Sequence, residues 1–245
     1  MAWTCSGSSN SELVANLVQN RILRTPRIIQ AFDRVDRKYY VPITRGADPY
    51  ADSPQTIGFG ATISAPHMHA HAIENLEPFL QPGARVLDIG SGSAYLLSIM
   101  HQLVSPTGSV LGIDHLDRIV EQGLENLSRD PTTRAHLDIG VNSTERRPSI
   151  TNIVADGRIG VPRTHLGSND GKFSAIHVGA AAPEFPQALI DQLAKPGRMF
   201  VPVGPDRGEQ HIWQIDKHRD GTVTRERLFA VRYIPLTDVD KQYRE

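Results

Sequence analysis

The chain has one cysteine, Cys5, in 245 residues, so it can form no internal disulfide. Its N-terminus, MAWTCSGSSNSEL, lacks the basic region and apolar core of a secretory signal. No apolar run approaches the ~20 residues that span a bilayer. These absences point to a cytoplasmic, reducing setting with no membrane partner, and leave Cys5 incidental. Charge of one sign is also missing. Lys and Arg number 26 against 27 Asp and Glu, a formal net charge of −1 with no acidic or basic tail. Binding through a nucleic-acid backbone needs a basic patch, so no nucleic-acid partner is expected. The hydrophobic fraction of 39% is enough for one large domain or one with a small appendage.

Two nucleotide signatures are incomplete. The stretch QPGARVLDIGSGSAYLL, Gln81 to Leu97, reads as a buried strand, a glycine turn and a helix start. The dinucleotide fingerprint needs a third glycine, and Tyr95 stands there. No Lys follows the turn, so it is not a P-loop, and no basic residue is placed to meet a pyrophosphate. What is present is acidic: Asp88 before the turn and Asp114 at the end of the next apolar run, SVLGID. An acid at the second strand end suits a ribose diol. Acids at both ends suit a ligand with a cationic part and no phosphate. S-adenosylmethionine has that character, with its sulfonium, ammonium, ribose and adenine. Asp156, ending a third strand ITNIVAD, is placed to meet an adenine amino group, or is a plain turn residue.

The rest of the chain reads in order. Residues 11–40 are two helical pieces, the first capped by Ser11 and the second started by Pro26. Residues 46–66 have no helical period and read as a long irregular loop. A helix then starts near Pro66 or His67. His67, His69 and His71 invite a metal reading. Spacing of two turns helical side chains apart, and no acid or cysteine with ligand spacing accompanies them, so no metal is expected. Strands follow at 85–90 and 109–114, the third near 150–156, the fourth over 173–178 and the fifth at 197–204. Helices are expected over 94–104, 115–129 and 181–193. An antiparallel pair, joined at Asp220-Gly221, closes the chain. The fold class is therefore α/β: a Rossmann-like, doubly wound, mostly parallel sheet with C-terminal antiparallel strands, plus a small N-terminal helical region. Residues 1–80 form a helical cap and loop, and 81–245 a methyltransferase core.

Seven segments carry a resemblance: DSPQTIGFGATISAPHMHA (52–70), LDIGSGSAYL (87–96), GIDH (112–115), DGR (156–158), AIHVGAAAPEFPQALIDQL (175–193), VPVGP (201–205) and YIPLTDVDKQ (233–242). In that order they resemble the protein-L-isoaspartate O-methyltransferase family. The resemblance implies methylation, by S-adenosylmethionine, of the α-carboxylate of isoaspartyl residues in damaged proteins and peptides. It implies that Ser64 orients that carboxylate and that Ala61, Thr62 and Ile63 line the junction of cofactor and substrate. It implies that His69 contacts cofactor or substrate, and that Gly90, Ser91 and Gly92 pass under the methionine part. Asp114, with His115 beside it in GIDH, takes the ribose. Asp156 and Gly157 frame the adenine, and Thr237 and Gln242 lie near the cofactor. Asp88 is added on chemistry, as an acceptor near the ammonium. An ionised carboxylate needs no general base, and the chain shows no obvious acid–base pair. Three departures stand out. Ala94 replaces a family glycine, tolerable if that residue is already helical. Gly60 replaces a family Gln. The segment 141–149 reads as a surface insertion. A methyltransferase of another acceptor and a non-catalytic adaptor holding S-adenosylmethionine are the rivals, the latter disfavoured because the chain stops soon after PLTDVDKQ. A hydride-transferring dehydrogenase comes last. No unpaired apolar helix face is read, so a monomer is expected.

Overall fold

The structure, a computed structural model, describes residues 5–44, 46–137, 149–166, 171–238 and 242. The expected insertion at 141–149 lies outside the described residues except for Ser149. Helix α1 (Asn10–Gln19) begins two residues earlier than a cap at Ser11 would place it. Ser9 is the cap: its hydroxyl accepts the Glu12 N–H, and the Glu12 carboxylate accepts the Ser8 N–H. Ser9-x-x-Glu12 has the spacing of a capping box, but the Glu12 carboxylate reaches one residue past the cap, to Ser8 rather than Ser9. Helix α2 (Pro26–Arg34) has Pro at its first turn and buries Ile28, Ala31 and Phe32. It ends before Arg37–Tyr39, which form a separate 3-10 turn rather than a continuous helix.

The loop expected at 46–66 contains a hairpin, strands β1 (Gln55–Gly58) and β2 (Ala61–Ile63). Phe59 and Gly60 form its two-residue turn, both at positive φ (53° and 69°). Paired positive φ is what a primed hairpin turn demands, and it gives Gly60 a backbone reason to stand where the family has Gln.

Helix α3 (Pro66–Leu76) leads to the central strand β3 (Arg85–Ile89), then α4 (Tyr95–Val104), β4 (Ser109–Asp114), α5 (Asp117–Arg129), β5 (Ile150–Val154) and α6 (Arg163–Leu166). Strand β6 (Phe173–Val178), α7 (Gln187–Gln192), β7 (Leu193–Val203), β8 (Gln210–Lys217) and β9 (Val223–Val231) complete the chain. Helix α7 is much shorter than 181–193, because Pro183 and Pro186 keep the preceding residues out of helical φ/ψ. The large sheet runs β5-β4-β3-β6-β7-β8-β9, with the first five strands parallel and the last two added antiparallel.

Alternation along the parallel strands sorts their side chains onto two faces. Val86, Val110, Ile150 and Ala175 share an apolar cluster with Leu13, Leu17 and Phe32 of the N-terminal helices and with α4. Leu87, Leu111, Ile113 and Ile176 join Leu189 and Ile190 of α7 on the other. The chain leaves β3 toward β4 and β5, then returns to β6 on the opposite side. The strand order thus reverses between β3 and β6, which opens a crevice at their carboxyl ends.

Candidate active site

Each strand that meets this crevice ends in, or is followed within two residues by, an acid or a glycine: Gly90 after β3, Asp114 ending β4, Asp156 after β5 and Gly179 after β6. Behind β3, Gly90 adopts φ +72° and Gly92 φ +52°. These conformations favour glycine, and both backbones lie open along the cleft. Ala94 corrects the expectation drawn for it. It is the residue before α4, at φ +68° and ψ 15°, and is left-handed rather than helical. A methyl group in that conformation costs roughly 1–2 kcal/mol.

The cleft has a volume of ≈ 670 Å³. Asp114, the last residue of β4, lines it. Its Oδ2 accepts the Gly92 N–H and its Oδ1 the Leu116 N–H, both at 3.2 Å. Burial pushes its carboxyl above the ordinary range, and those backbone hydrogen bonds pull it back only in part. A carboxylate has about four lone-pair directions, so two remain for hydroxyl donors from the cleft. Beyond it, Asp156 follows β5. Its carboxylate is held by Arg158, whose Nε lies 2.9 Å and Nη2 2.8 Å from its two oxygens and lowers its pKa. Arg158 also pairs with Asp238 at 2.7 Å. Asp156 is therefore engaged by a cation, a different environment from the free acceptor the sequence suggested.

The C-terminal segment crosses the cleft. Ala181 N–H donates to the Ile234 carbonyl, and Leu236 N–H to that of Ala181. Gln242 reaches His115 Nε2 through its Oε1 and donates its Nε2 to the Phe59 carbonyl at 3.2 Å. It thereby ties the end of β4 to the β1–β2 turn.

Strand β2 delivers Ser64 to the same cleft just before α3. The Ser64 hydroxyl meets that of Tyr233, whose phenol is pushed up by burial. The Ser64 carbonyl accepts from Arg37 Nη2 at 2.8 Å.

Ala61, Thr62, Ser64, Gly90, Gly92, Asp114, His115, Asp156, Gly157, Thr237 and Gln242 all line this cleft. Ile63, His69, Asp88 and Ser91 do not. They line a smaller polar annex of ≈ 30 Å³ under the glycine turn. Asp88 is buried there, raised by burial and paired with His177, its Oδ1 2.7 Å from Nδ1. His69 is buried with its ring against Tyr95, its Nδ1 facing Arg37 Nη1 at 3.4 Å. Its place is behind Ser64, where burial and Arg37 hold it well below its ordinary pKa and therefore neutral. His67, read as having no acidic partner, pairs with Asp52 at 2.7 Å. Asp52 is fifteen residues away in sequence, outside any ligand spacing. Among the described residues no group of three His, Cys, Asp or Glu is placed to hold a metal. Sequence reasoning did not single out Tyr233, Arg158 or Arg37. Tyr233 and Arg158 stand inside matched motifs, but Arg37 lies outside every one of them.

The residues present fit S-adenosylmethionine. Asp114, a carboxylate for a ribose, and Ser64 line one cleft together with the bare backbones of Gly90 and Gly92. No Lys or Arg stands within the turn itself, Gly90 to Ala94, to meet a phosphate.

The chain matches the family model described as Protein-L-isoaspartate(D-aspartate) O-methyltransferase over residues 8–241. It is 40% identical over 236 residues to a Triticum aestivum protein named protein-L-isoaspartate O-methyltransferase, covering 96% of this chain and 94% of that one. A Caenorhabditis elegans protein of the same name is 40% identical over 243 residues, covering 99% of each. A crystal structure from Plasmodium falciparum, described as a protein-L-isoaspartate O-methyltransferase in complex with S-adenosyl-L-homocysteine, superposes with a TM-score of 0.80 at 31% identity. It covers 94% of this chain and 99% of that one. A second structure described as a protein-L-isoaspartate O-methyltransferase agrees in fold, with a TM-score of 0.72 at 21% identity. That match covers 92% of this chain and 65% of that one.

Proposed function

This chain belongs to the protein-L-isoaspartate(D-aspartate) O-methyltransferase family, and from that premise we propose how its own residues carry the reaction. The activity is methylation of the α-carboxylate of L-isoaspartyl residues, with S-adenosylmethionine as donor. Bound S-adenosylmethionine supplies a methyl group on a sulfonium, which passes to a carboxylate oxygen while the bonding pair stays on sulfur.

The carboxylate arrives ionised at neutral pH, so the protein need not remove a proton. Its task is alignment and exclusion of water. In our reading Asp114 accepts the two ribose hydroxyls, with His115 and Gln242 closing over them. Asp156 and Gly157 frame the adenine, Arg158 fixing the former. Gly90, Ser91 and Gly92 pass under the methionine part, with Thr237 near the cofactor in the closing segment. Asp88 faces the ammonium by way of the annex, paired with His177. Ala61, Thr62 and Ile63 line the junction with the acceptor, and Ser64 donates to the acceptor carboxylate. His69 takes a supporting place behind that loop. The observation that carries the assignment is that Ser64 lines the same cleft as Asp114 and the glycine turn.

The test uses labelled S-adenosylmethionine and two peptides of one sequence, isoaspartyl and aspartyl, at mildly acidic pH where the ester survives. Base-labile label is expected on the isoaspartyl peptide alone. Ser64→Ala is expected to lower kcat/KM about tenfold, the worth of one hydrogen bond to a charged group. An unchanged value would remove Ser64 from the site. No helix among the described residues is long and apolar enough to cross a membrane. For the state in the cell we propose a monomer in the cytosol, to be checked by mass in light scattering and by cell fractionation. A dimeric mass or a sedimenting protein would overturn it.

A further inference from the structure

Arg37 is a cation with no exposed surface. Burial pushes its pKa down to about 10, which still leaves it charged at neutral pH. Among the described residues no carboxylate lies within ion-pair distance of it; the nearby Asp52 is engaged by the backbone N–H and Nδ1 of His67. Its neighbours are neutral: the Ser64 carbonyl, the unprotonated His69 ring, and the Tyr95 ring beneath the guanidinium at 5.3 Å. Its Nε is buried without a partner among the described residues. The position is enforced from behind. The Asn10 side chain accepts the Arg37 N–H at 3.3 Å and donates to the Phe32 and Asp33 carbonyls.

A buried cation is costly, and among the described residues this one is offset by a carbonyl, an aromatic ring and the more distant Asp52, with no ion pair. The charge lies one peptide group from the Ser64 hydroxyl, which faces the cleft. We propose that Arg37 is the positioning residue of the acceptor site: it fixes the Ser64 carbonyl and supplies the positive charge that an isoaspartyl α-carboxylate completes. This rests on the reading of Ser64 as the acceptor contact. It also gives the site a sense of progress. Transfer turns an anion into a neutral ester, so the attraction that draws substrate in is absent for product. Because the anion keeps only part of its charge in the transition state, Arg37 acts mainly on binding, and its loss leaves the bound complex reacting as fast or up to about threefold faster. Its signature is in KM, with kcat little changed.

The experiment compares the isoaspartyl peptide with its isoasparaginyl analogue, the neutral α-carboxamide of the same shape, used as an inhibitor. The wild-type protein is expected to favour the carboxylate. Arg37→Gln should raise KM for the isoaspartyl peptide on the order of tenfold. Its kcat, its Ki for the carboxamide and its S-adenosyl-L-homocysteine affinity should stay within about threefold. Arg37→Lys, which keeps the charge, should keep the preference. A variant that weakens both peptides alike, or loses kcat at constant KM, would show a merely structural role and overturn the proposal. If Arg37→Gln does not fold, the wild type still decides. Preference from a buried charge persists to about 0.5 M salt, whereas preference from surface charge collapses and sinks the idea. Failure of the Ser64 reading is separate, since it shows as unchanged kinetics in Ser64→Ala whatever the Arg37 variants do.

Discussion

Asp114→Ala is expected to weaken S-adenosyl-L-homocysteine binding about 100-fold by calorimetry, the loss of two hydrogen bonds to one ionised acceptor. The carboxylate stands at the carboxyl end of β4 and is largely withdrawn from water, which raises its pKa. Two backbone N–H groups, from Gly92 and Leu116, hold it in place at 3.2 Å. Those donors orient it without exhausting it, so ribose hydroxyls meet a preset acceptor. Truncation removes the acceptor and also leaves the Gly92 N–H, part of the turn under the ligand, without its partner. Asp114→Asn is a sharper probe. It preserves shape but turns one acceptor into a donor, and should cost about tenfold. Affinity unchanged in both variants would place the ribose elsewhere. Because the site needs the ionised form, binding should also decline as pH falls, beginning above the ordinary carboxylate range.

How much of this was legible in the sequence depends on whether the signal is local. Strand β6 was read to the residue, since a buried parallel strand is a short apolar run with sharp ends. Asp114 was legible for the same reason, being the acid that ends such a run. The β1–β2 hairpin was not. Its turn uses Phe59 at φ +53°, a conformation that Phe rarely adopts, so GFG gave no hairpin signal. Ala94 misled by the opposite route: Ala is the best helix former, and only the turn geometry makes it left-handed there. The site residues did not divide along this line: Ser64, His69, Asp88, Gly90 and Gly92 all lie in local motifs, yet Ser64, Gly90 and Gly92 line the cleft while His69 and Asp88 face only the annex, a difference of tertiary placement. Arg37 was illegible for a different reason. A charged residue after an amphipathic helix reads as solvated, and its burial follows from α1 and α3 packing over it. That is a tertiary fact absent from any window of the chain.

Stability is expected to fall as pH drops from 6.5 toward 4, and His101 should account for roughly 2 kcal/mol of that loss after allowance for partial solvent screening. His101 is 2% exposed on α4. Its Nε2 lies 2.9 Å from the Ser149 hydroxyl, and its ring faces that of His136 at a centroid distance of 4.5 Å. Burial first, and His136 second, push its pKa down to about 4. In an unfolded chain the same imidazole titrates near ~6.5. Between those values the unfolded state binds a proton that the folded state refuses. Acidification therefore draws the equilibrium toward unfolding, and the contribution is whole above the unfolded value. His69 and His71, both depressed chiefly by burial, act with the same sign. Asp88 and Asp114 act with the opposite one. Burial raises them, so the folded state takes up their protons first and offsets part of the loss at the acid end. Urea midpoints from about pH 4.5 to 7.5 would test this, with His101→Gln expected to flatten the wild-type slope. An unaltered slope would show that His101 is protonated in the folded state and that its burial carries no such linkage. The consequence reaches the assay. A methyl ester lasts longest in acid, where these histidines make the enzyme least stable, so repair kinetics are best measured near pH ~6, just below the unfolded histidine value, where only part of this stability has been lost.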